Sequence, residues 1–252
     1  MKKFLKDKLE VRVYPDRMQM GVAAARDVKH KMAELLQTRA EINMIFAAAP
    51  SQNEVLATLA ADETIEWNRV NAYHMDEYIG LAAEAPQGFG NFLKDRLFDR
   101  VPFKSVHRID PTATDPEREA ARYAALLTAA PADIVVMGIG ENGHIAFNDP
   151  PVADFRDPCA VKAVALDEVC RRQQVNDGCF ARFEDVPRYA LTLTVPTLVA
   201  APWLFCIVPA KTKAKAVYET IYGAIDEHCP ASILRTHDHA ILYLDVDSGA
   251  LL

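Results

Sequence analysis

Residues 132–151, ADIVVMGIGENGHIAFNDPP, decide the predicted fold of this chain. Their apolar run at 134–137 is typical of a strand buried on both faces, as in a parallel sheet. The run stops at Gly138 and Gly140, where the backbone turns sharply, and five polar residues follow it: Glu141, Asn142, His144, Asn148 and Asp149. Ligands of open α/β sheets bind beyond the carboxyl ends of the strands. The segment therefore predicts a site in which an imidazole moves protons near neutral pH.

The composition narrows the classes of protein to which the chain can belong. Its 252 residues are enough for one large α/β domain with a substantial core. With 28 basic against 35 acidic side chains, the net charge of −7 argues against general nucleic-acid binding. A local basic pocket for an anionic metabolite is compatible with that charge.

The sequence predicts neither export nor a membrane span. Residues 1–16 start with basic side chains but hold no continuous apolar segment, so we expect no signal peptide. No window approaches the roughly 20 apolar residues that a membrane helix needs. The five cysteines form no C-x-x-C pair and are expected to be reduced thiols of a cytoplasmic protein. Their spacing also predicts no structural metal site.

Strand-like and helical segments alternate along the whole chain. Strands are predicted at 9–14, 42–48, 70–74, 106–109, 134–137, 161–166, 189–195, 204–208 and 240–244. Helices are predicted at 16–37, 54–61, up to about 99 after the turn at 87–91, and at 116–128, 167–175, 196–200, 211–222 and 231–235. This alternation predicts the α/β class: an open, mostly parallel twisted sheet with helices on both faces, in a single domain of residues 1–252. The irregular segment 150–187, beside the expected site, is a candidate lid.

Two further strand ends carry polar groups. The strand at 42–48 runs into Pro50, Ser51, Gln52 and Asn53, where Ser51 or Asn53 would cap the next helix and its N-terminus would attract an anion. The strand at 70–74 runs into residues 75–81, MDEYIGL, with two adjacent carboxylates. We interpret both ends as parts of one site.

Four stretches together resemble one known family: HMDEYIGL (74–81), GIGENGHIAFNDPP (138–151), YALTLTVPTL (189–198) and AKTKAKAV (210–217). They resemble, in the same order, the glucosamine-6-phosphate deaminase (isomerase) family, which is related in fold to the 6-phosphogluconolactonases. The resemblance covers nearly the whole chain. It implies conversion of an amino-sugar 6-phosphate into fructose 6-phosphate and ammonia, without a metal or an organic cofactor.

The resemblance also implies roles for four side chains. Asp76 matches the general base that takes the C2 proton of the opened sugar and returns one to C1 through an enediol-type intermediate. His144 matches the histidine that assists ring opening, and Asp149 stands where the family carries the Glu that orients this histidine. Asn142 replaces an Asp found in some members. We therefore expect a relay reduced to His144 and Asp149, with Asn142 positioning the substrate.

For the phosphate group, the resemblance implies pieces that are distant in sequence. Ser51 matches the hydroxyl of the phosphate loop, and Lys213 matches the lysine ahead of the last long helix. Arg171 matches the family arginine, although Arg172 beside it fits nearly as well. Gly140, with its bare backbone, is added to the substrate-binding set. Arginine binds phosphate through paired hydrogen bonds, whereas lysine supplies a point charge.

Two other functions stay open at this stage. A 6-phosphogluconolactonase would need no base at C2, and lactonases carry an Asp-Glu-Arg form where this chain has Asp76, Glu77 and Tyr78. A non-catalytic sugar-phosphate sensor would carry a DNA-binding segment ahead of the first strand, which begins here near residue 9. The gluco or galacto configuration of the substrate is not readable from these residues. A homo-oligomer is compatible with the resemblance, but composition does not establish it.

Overall fold

A computed structural model describes residues 2–252 of the chain. Eleven strands occur within these residues: β1 (Lys2–Lys6), β2 (Leu9–Tyr14), β3 (Ile42–Phe46), β4 (Val70–His74), β5 (Asp76–Tyr78), β6 (Ser105–His107), β7 (Ile134–Met137), β8 (Val161–Ala165), β9 (Tyr189–Leu193), β10 (Trp203–Val208) and β11 (Ala240–Asp245). Eight of them form one sheet in the order β1-β2-β11-β10-β7-β3-β4-β6. All neighbours in that sheet are parallel except β1 and β2. The predicted open, mostly parallel sheet is confirmed.

The strand order reverses between β3 and β7. From β3 the chain moves outward to β4 and β6, then returns to β7 and moves the other way to β10 and β11. The connections leaving β3 and β7 therefore diverge and open a crevice at the carboxyl edge of the sheet, which is the usual ligand position in such folds.

Seven α-helices occur within the described residues: α1 (Arg17–Leu36), α2 (Asn53–Ala60), α3 (Phe89–Leu93), α4 (Pro116–Ala129), α5 (Glu168–Asn176), α6 (Val195–Val199) and α7 (Ala214–Tyr222). Three of them begin where an aspartate accepts a hydrogen bond from a backbone N–H three residues on, namely Asp16, Asp115 and Asp167. No helix in residues 2–252 has the length and apolar character needed to cross a membrane.

Helices cover both faces of the main sheet, as predicted. Alternate residues of the central strands enter different apolar cores, so Phe46 lies in the core that includes α1 and α2, while its neighbour Ile45 lies in the core that includes α4 and α7. Both side chains are fully buried. The central strands β7 and β10 are apolar along their whole length, because helices cover both faces of the sheet there.

A second sheet, in the order β5-β9-β8, lies outside the main one, and both of its pairings are antiparallel. The sequence did not predict β5 or this sheet, because β5 has only three residues and follows β4 after a single residue. The strand and the helix predicted inside the segment 150–187 are present, since β8 pairs with β9 and α5 follows it.

Three other expectations differ from the structure. The strand β1 was not predicted; its alternating residues KKFLK pair with β2 at the edge of the main sheet. Neither Ser51 nor Asn53 caps α2, which begins after a 3₁₀ turn over Pro50–Gln52 with no side-chain cap. The helix expected up to residue 99 is α3 followed by a π-helical turn, Lys94–Phe98.

The N-terminal parts of α1 and α2 touch at Gly21. A Cβ atom there would overlap the Cβ of Glu54 and press on the backbone of α2. We expect Gly21→Ala to lower the free energy of unfolding by about 1–3 kcal/mol, the usual cost of overpacking. The half-exposed neighbour Val22 supplies the control, because Val22→Ala should change stability by less than about 0.5 kcal/mol. Urea denaturation measures both, and equal effects of the two changes would contradict the close helix contact.

Candidate active site

A cavity of about 530 Å³ opens at the carboxyl edge of the main sheet. Four strands of the main sheet deliver residues to it, and the first lining residues after β3, β4, β7 and β10 are Ala47, Met75, Gly138 and Pro209. Ser51, Asp76, Gly140, His144 and Lys213, all selected from the sequence, line this one cavity. The strand ends were expected to meet there, because the strands are parallel.

Asp76 is the first residue of β5, and its position opposite Thr192 of β9 fixes it beside the cavity. The residue is only 6 % exposed. Burial, together with the nearby charges of Glu77 and Asp149, raises its pKa well above the usual 3.8, and no hydrogen bond from residues 2–252 offsets these effects. The carboxylate is thus an unusually basic group that faces the cavity.

Glu77, the neighbour of Asp76, has a structural role. Its carboxylate accepts hydrogen bonds from the backbone N–H groups of Tyr78, Phe89 and Gly90, at 2.8–2.9 Å. Two of these donors belong to the first turn of α3, so Glu77 satisfies that turn from outside the helix. The sequence predicted that both adjacent carboxylates belong to one site. In the structure only Asp76 lines the cavity, whereas Glu77 stabilises the start of α3.

His144 lies at the cavity wall, 7 % exposed, with its Nδ1 atom 2.8 Å from Oδ1 of the buried Asp149. Gly140 makes this position accessible, because a Cβ at residue 140 would overlap the imidazole ring. The N–H of Gly140 donates to the carbonyl of His144 at 2.9 Å. Gly140 therefore holds the histidine loop closely, and its own N–H is not free for a ligand.

Asn142 lies behind His144, outside the lining of the cavity. Its amide donates to Asp149 at 2.9 Å and to Asp167 at 3.3 Å, and its carbonyl oxygen accepts from the N–H of His144 at 3.1 Å. Burial opposes ionisation of Asp149, but the charge of His144 and hydrogen bonds from His144, Asn142 and Cys170 outweigh it and lower the Asp149 pKa. Asn142 positions Asp149, whereas the sequence predicted that it positions the substrate.

Lys213 brings a buried positive charge to the lining of the same cavity. The turn before it contains Ala210 with a φ of 83°, a conformation held by hydrogen bonds from the Ala210 N–H to the carboxylate of Asp245. Lys213 is 5 % exposed. Burial lowers its pKa, against the charges of Asp177 and Glu141. A buried ammonium without an ion pair in residues 2–252 favours an anionic ligand.

The structure does not bring Arg171 or Arg172 into the cavity. Arg171 donates to the carbonyls of Phe183 and Val186 at 3.0 and 2.9 Å and lies over the Phe183 ring. Arg172 is exposed on the outer face of α5. The cavity-facing side of α5 carries Gln173 and Gln174 instead, both nearly buried. A phosphate-binding role of Arg171 therefore lacks geometric support.

Sequence reasoning missed several polar groups of the cavity wall, among them Gln174, Asp177 and Arg96. Gln174 and Asp177 belong to the segment 171–177, which is polar except for Val175, so the helix register separates inner from outer side chains. Arg96 lies on the π-helical turn, and no local pattern distinguishes it from other arginines.

One group of side chains has the donor types of a metal site. His144, Asp149 and Cys170 place ligand atoms within 4.8 Å of one another. Burial, with the charges of Asp149 and Asp167, raises the pKa of the Cys170 thiol well above its usual value. A metal ion would have to displace this proton and separate His144 from Asp149, so the arrangement fits a hydrogen-bonded cluster better than a metal site.

Comparison with known proteins identifies the family. Residues 15–243 match the family model of glucosamine-6-phosphate isomerases/6-phosphogluconolactonase, so the chain belongs to that family. A relative from Listeria innocua, named glucosamine-6-phosphate deaminase, is 35 % identical over 85 % of this chain and 90 % of its own length. One with the same name from Exiguobacterium is 38 % identical over 73 % and 70 %. The predicted family membership is confirmed.

Solved structures support the same grouping. A monomeric glucosamine-6-phosphate deaminase superposes with a TM-score of 0.87 at 26 % identity, covering 96 % of this chain and 99 % of that one. A 6-phosphogluconolactonase from Thermotoga maritima gives a TM-score of 0.78 at 18 % identity, covering 94 % and 100 %. The second likeness is one of fold alone.

The position of Asn142 between two carboxylates can be tested by exchanging charge. We expect Asn142→Asp to lower the free energy of unfolding at pH 7 by about 1–3 kcal/mol, because it replaces two hydrogen bonds by repulsion. The loss should grow as pH rises from 4 to 7. The double change Asn142→Asp/Asp167→Asn should recover part of it, since asparagine also caps helices well. Denaturation of the three proteins measures this, and no recovery in the double variant would contradict the network.

Asp76 should lower the stability of the folded protein. Its pKa is raised on folding, so stability is lost as pH rises above the usual aspartate value of 3.8. Asp76→Asn should therefore be more stable than the wild type at pH 7, by about 1.4 kcal/mol for each unit of raised pKa, and the difference should vanish near pH 3. Unfolding curves across pH measure it. Asp99→Asn, at an exposed aspartate, serves as control, and a less stable Asp76→Asn protein would contradict the raised pKa.

Proposed function

We propose that this protein converts glucosamine 6-phosphate and water into fructose 6-phosphate and ammonia. The observation that carries the proposal is the meeting of Asp76, His144 and Lys213 in one cavity of about 530 Å³, which suits a small sugar phosphate. Relatives at 35–38 % identity that bear the deaminase name support it.

In the proposed reaction Asp76 is the base. His144 passes a proton to the ring oxygen as the pyranose opens, and Asp76 then removes the proton from C2 of the open chain. The same carboxyl returns the proton to C1, which leaves a 2-imine that takes up water and releases ammonia. The raised pKa of Asp76 supports this role, because a buried, unpartnered carboxylate is a stronger base than an ordinary aspartate.

Asp149 and Asn142 act through His144. Asp149, whose pKa is lowered, stays ionised and holds Nδ1 of the imidazole, while the Asn142 amide fixes the orientation of Asp149. These steps are proton transfers and hydrolysis, so we propose that no metal or organic cofactor takes part. In the same cavity, Ser51 and Lys213 bind the phosphate group, with Lys213 as its buried counter-ion.

The segment 150–187 is proposed to act as a lid. Its helix α5 covers one wall of the cavity with Gln173 and Gln174. We also propose a cytoplasmic location, since the five cysteines are free thiols, which a reducing compartment maintains. The partner is then a small sugar phosphate, and neither a nucleic acid nor a membrane is needed.

The assignment of the base has a direct test. Asp76→Asn should lower kcat for glucosamine 6-phosphate by at least about 10³-fold, because the amide cannot accept the C2 proton. Binding of the sugar phosphate should survive. Release of ammonium and of a ketose phosphate measures turnover, and galactosamine 6-phosphate tested in parallel decides the configuration at C4.

Two controls make that test decisive. Asp99→Asn, at an exposed position, should keep wild-type turnover. Hydrolysis of 6-phosphogluconolactone should be absent in the wild type. Appreciable deamination by Asp76→Asn would remove Asp76 as the base, and lactone hydrolysis without deamination by the wild type would replace the proposed function.

A further inference from the structure

The cavity needs more positive charge than Lys213 supplies. A phosphate monoester carries a charge of about −1.5 to −2 at neutral pH. Asp76 and Asp177 add carboxylates to the same cavity wall. A single ammonium therefore leaves a bound phosphate partly uncompensated in a buried site, which is costly. Since Arg171 and Arg172 lie elsewhere, the compensating cation has to come from another element.

Two arginines line the cavity besides Lys213: Arg17 and Arg96. Arg17 is already neutralised, because its guanidinium forms a paired contact with both carboxylate oxygens of Glu54 at 2.8 and 2.9 Å and donates to the carbonyl of Pro50. Arg96 forms no ion pair within residues 2–252; its guanidinium contacts the neutral amide of Asn53 and the aromatic ring of Phe92. Its charge is thus available to a ligand.

Arg96 lies close to Ser51, one of the residues proposed to bind the phosphate group. Its Nε atom donates to Oδ1 of Asn53 at 2.9 Å, and Asn53 begins α2 two residues after Ser51. The guanidinium lies over the Phe92 ring, 3.8 Å from the centroid. These two contacts fix the plane of the group and leave both terminal nitrogens without a partner. Arg96 stands on a π-helical turn, a form often found at functional sites.

We propose that Arg96 is the second cation of the phosphate subsite and takes the place that the sequence assigned to Arg171. This inference rests on the proposed function, because it names a residue that binds the same substrate. Arg96 and Lys213 together carry two positive charges, which balance a phosphate dianion. The planar guanidinium of Arg96 supplies paired hydrogen bonds, and Lys213 supplies a point charge.

Arg171 has a structural role outside the cavity. Its hydrogen bonds to the carbonyls of Phe183 and Val186 fasten the loop after α5 to that helix. Turning Arg171 toward the cavity would break both bonds and the contact with the Phe183 ring. The helix presents glutamines, not arginines, to the cavity, so α5 contributes hydrogen bonds there and Arg96 contributes charge.

The test compares Arg96→Met with Arg172→Met, because both arginines lie over a phenylalanine ring and only Arg96 lines the cavity. Isothermal titration with inorganic phosphate and steady-state kinetics with glucosamine 6-phosphate are measured for each. We expect Arg96→Met to raise the Kd of phosphate and the KM roughly 10- to 100-fold, the usual loss for a hydrogen-bonded charge. kcat should change less than about threefold, and Arg172→Met should leave all three values unchanged.

Arg96→Gln is the second variant, since it removes the charge but can keep the hydrogen bond to Asn53. Thermal unfolding shows which of the two Arg96 variants fold. The phosphate Kd of either folded variant then tests whether Arg96 binds the phosphate. A phosphate Kd equal to that of the wild type, or an equal loss in Arg172→Met, would overturn the role of Arg96. The titration needs no turnover, so weaker phosphate binding in the variants supports Arg96 even if the wild type fails to deaminate the amino sugar.

Discussion

The parallel pairing of β7 with β3 on one side and β10 on the other is the constraint on which the site depends. Ile134 lies opposite Met44 and Trp203 in these two pairings, so the three strands end at the same edge of the sheet. Ser51, His144 and Lys213 follow those ends and meet, although more than 160 residues separate the first from the last. A slip of one residue in β7 would turn its side chains to the opposite faces and displace His144 from this edge.

Two charged side chains of the cavity, Asp76 and Lys213, form no ion pair and no side-chain hydrogen bond in residues 2–252 that would neutralise them. Asp76 and Glu77 are neighbours, yet the Glu77 carboxylate accepts three backbone hydrogen bonds and the Asp76 carboxylate accepts none from residues 2–252. Lys213 is likewise buried without an ion pair in the described chain. Such groups make the protein less stable than a fully paired interior would, and they fit a site in which the ligand completes the interactions.

The hydrogen bonds behind His144 connect the cavity wall to α5. Asp167 accepts from the N–H of Cys170 at the start of α5 and from the Asn142 amide, which also holds Asp149. The orientation of α5 and the contact between Asp149 and His144 therefore depend on the same side chains. An aspartate at position 142 would place three carboxylates together, which gives a physical reason for the asparagine at this position in this chain.

The sequence by itself determined the parallel sheet, the helices on both faces and the strand ends that carry Asp76 and His144, because apolar runs ending in polar residues are local patterns. Only the tertiary structure decided that Glu77 belongs to the scaffold, that Asn142 faces Asp149, and that Arg171 lies outside the cavity. The run RRQQ at 171–174 has the same polarity on every side, so the packing of α5 alone selects which residues face inward. Arg96 reaches the cavity through contacts with Asn53 and Phe92, and contacts between distant elements leave no local signal in a sequence.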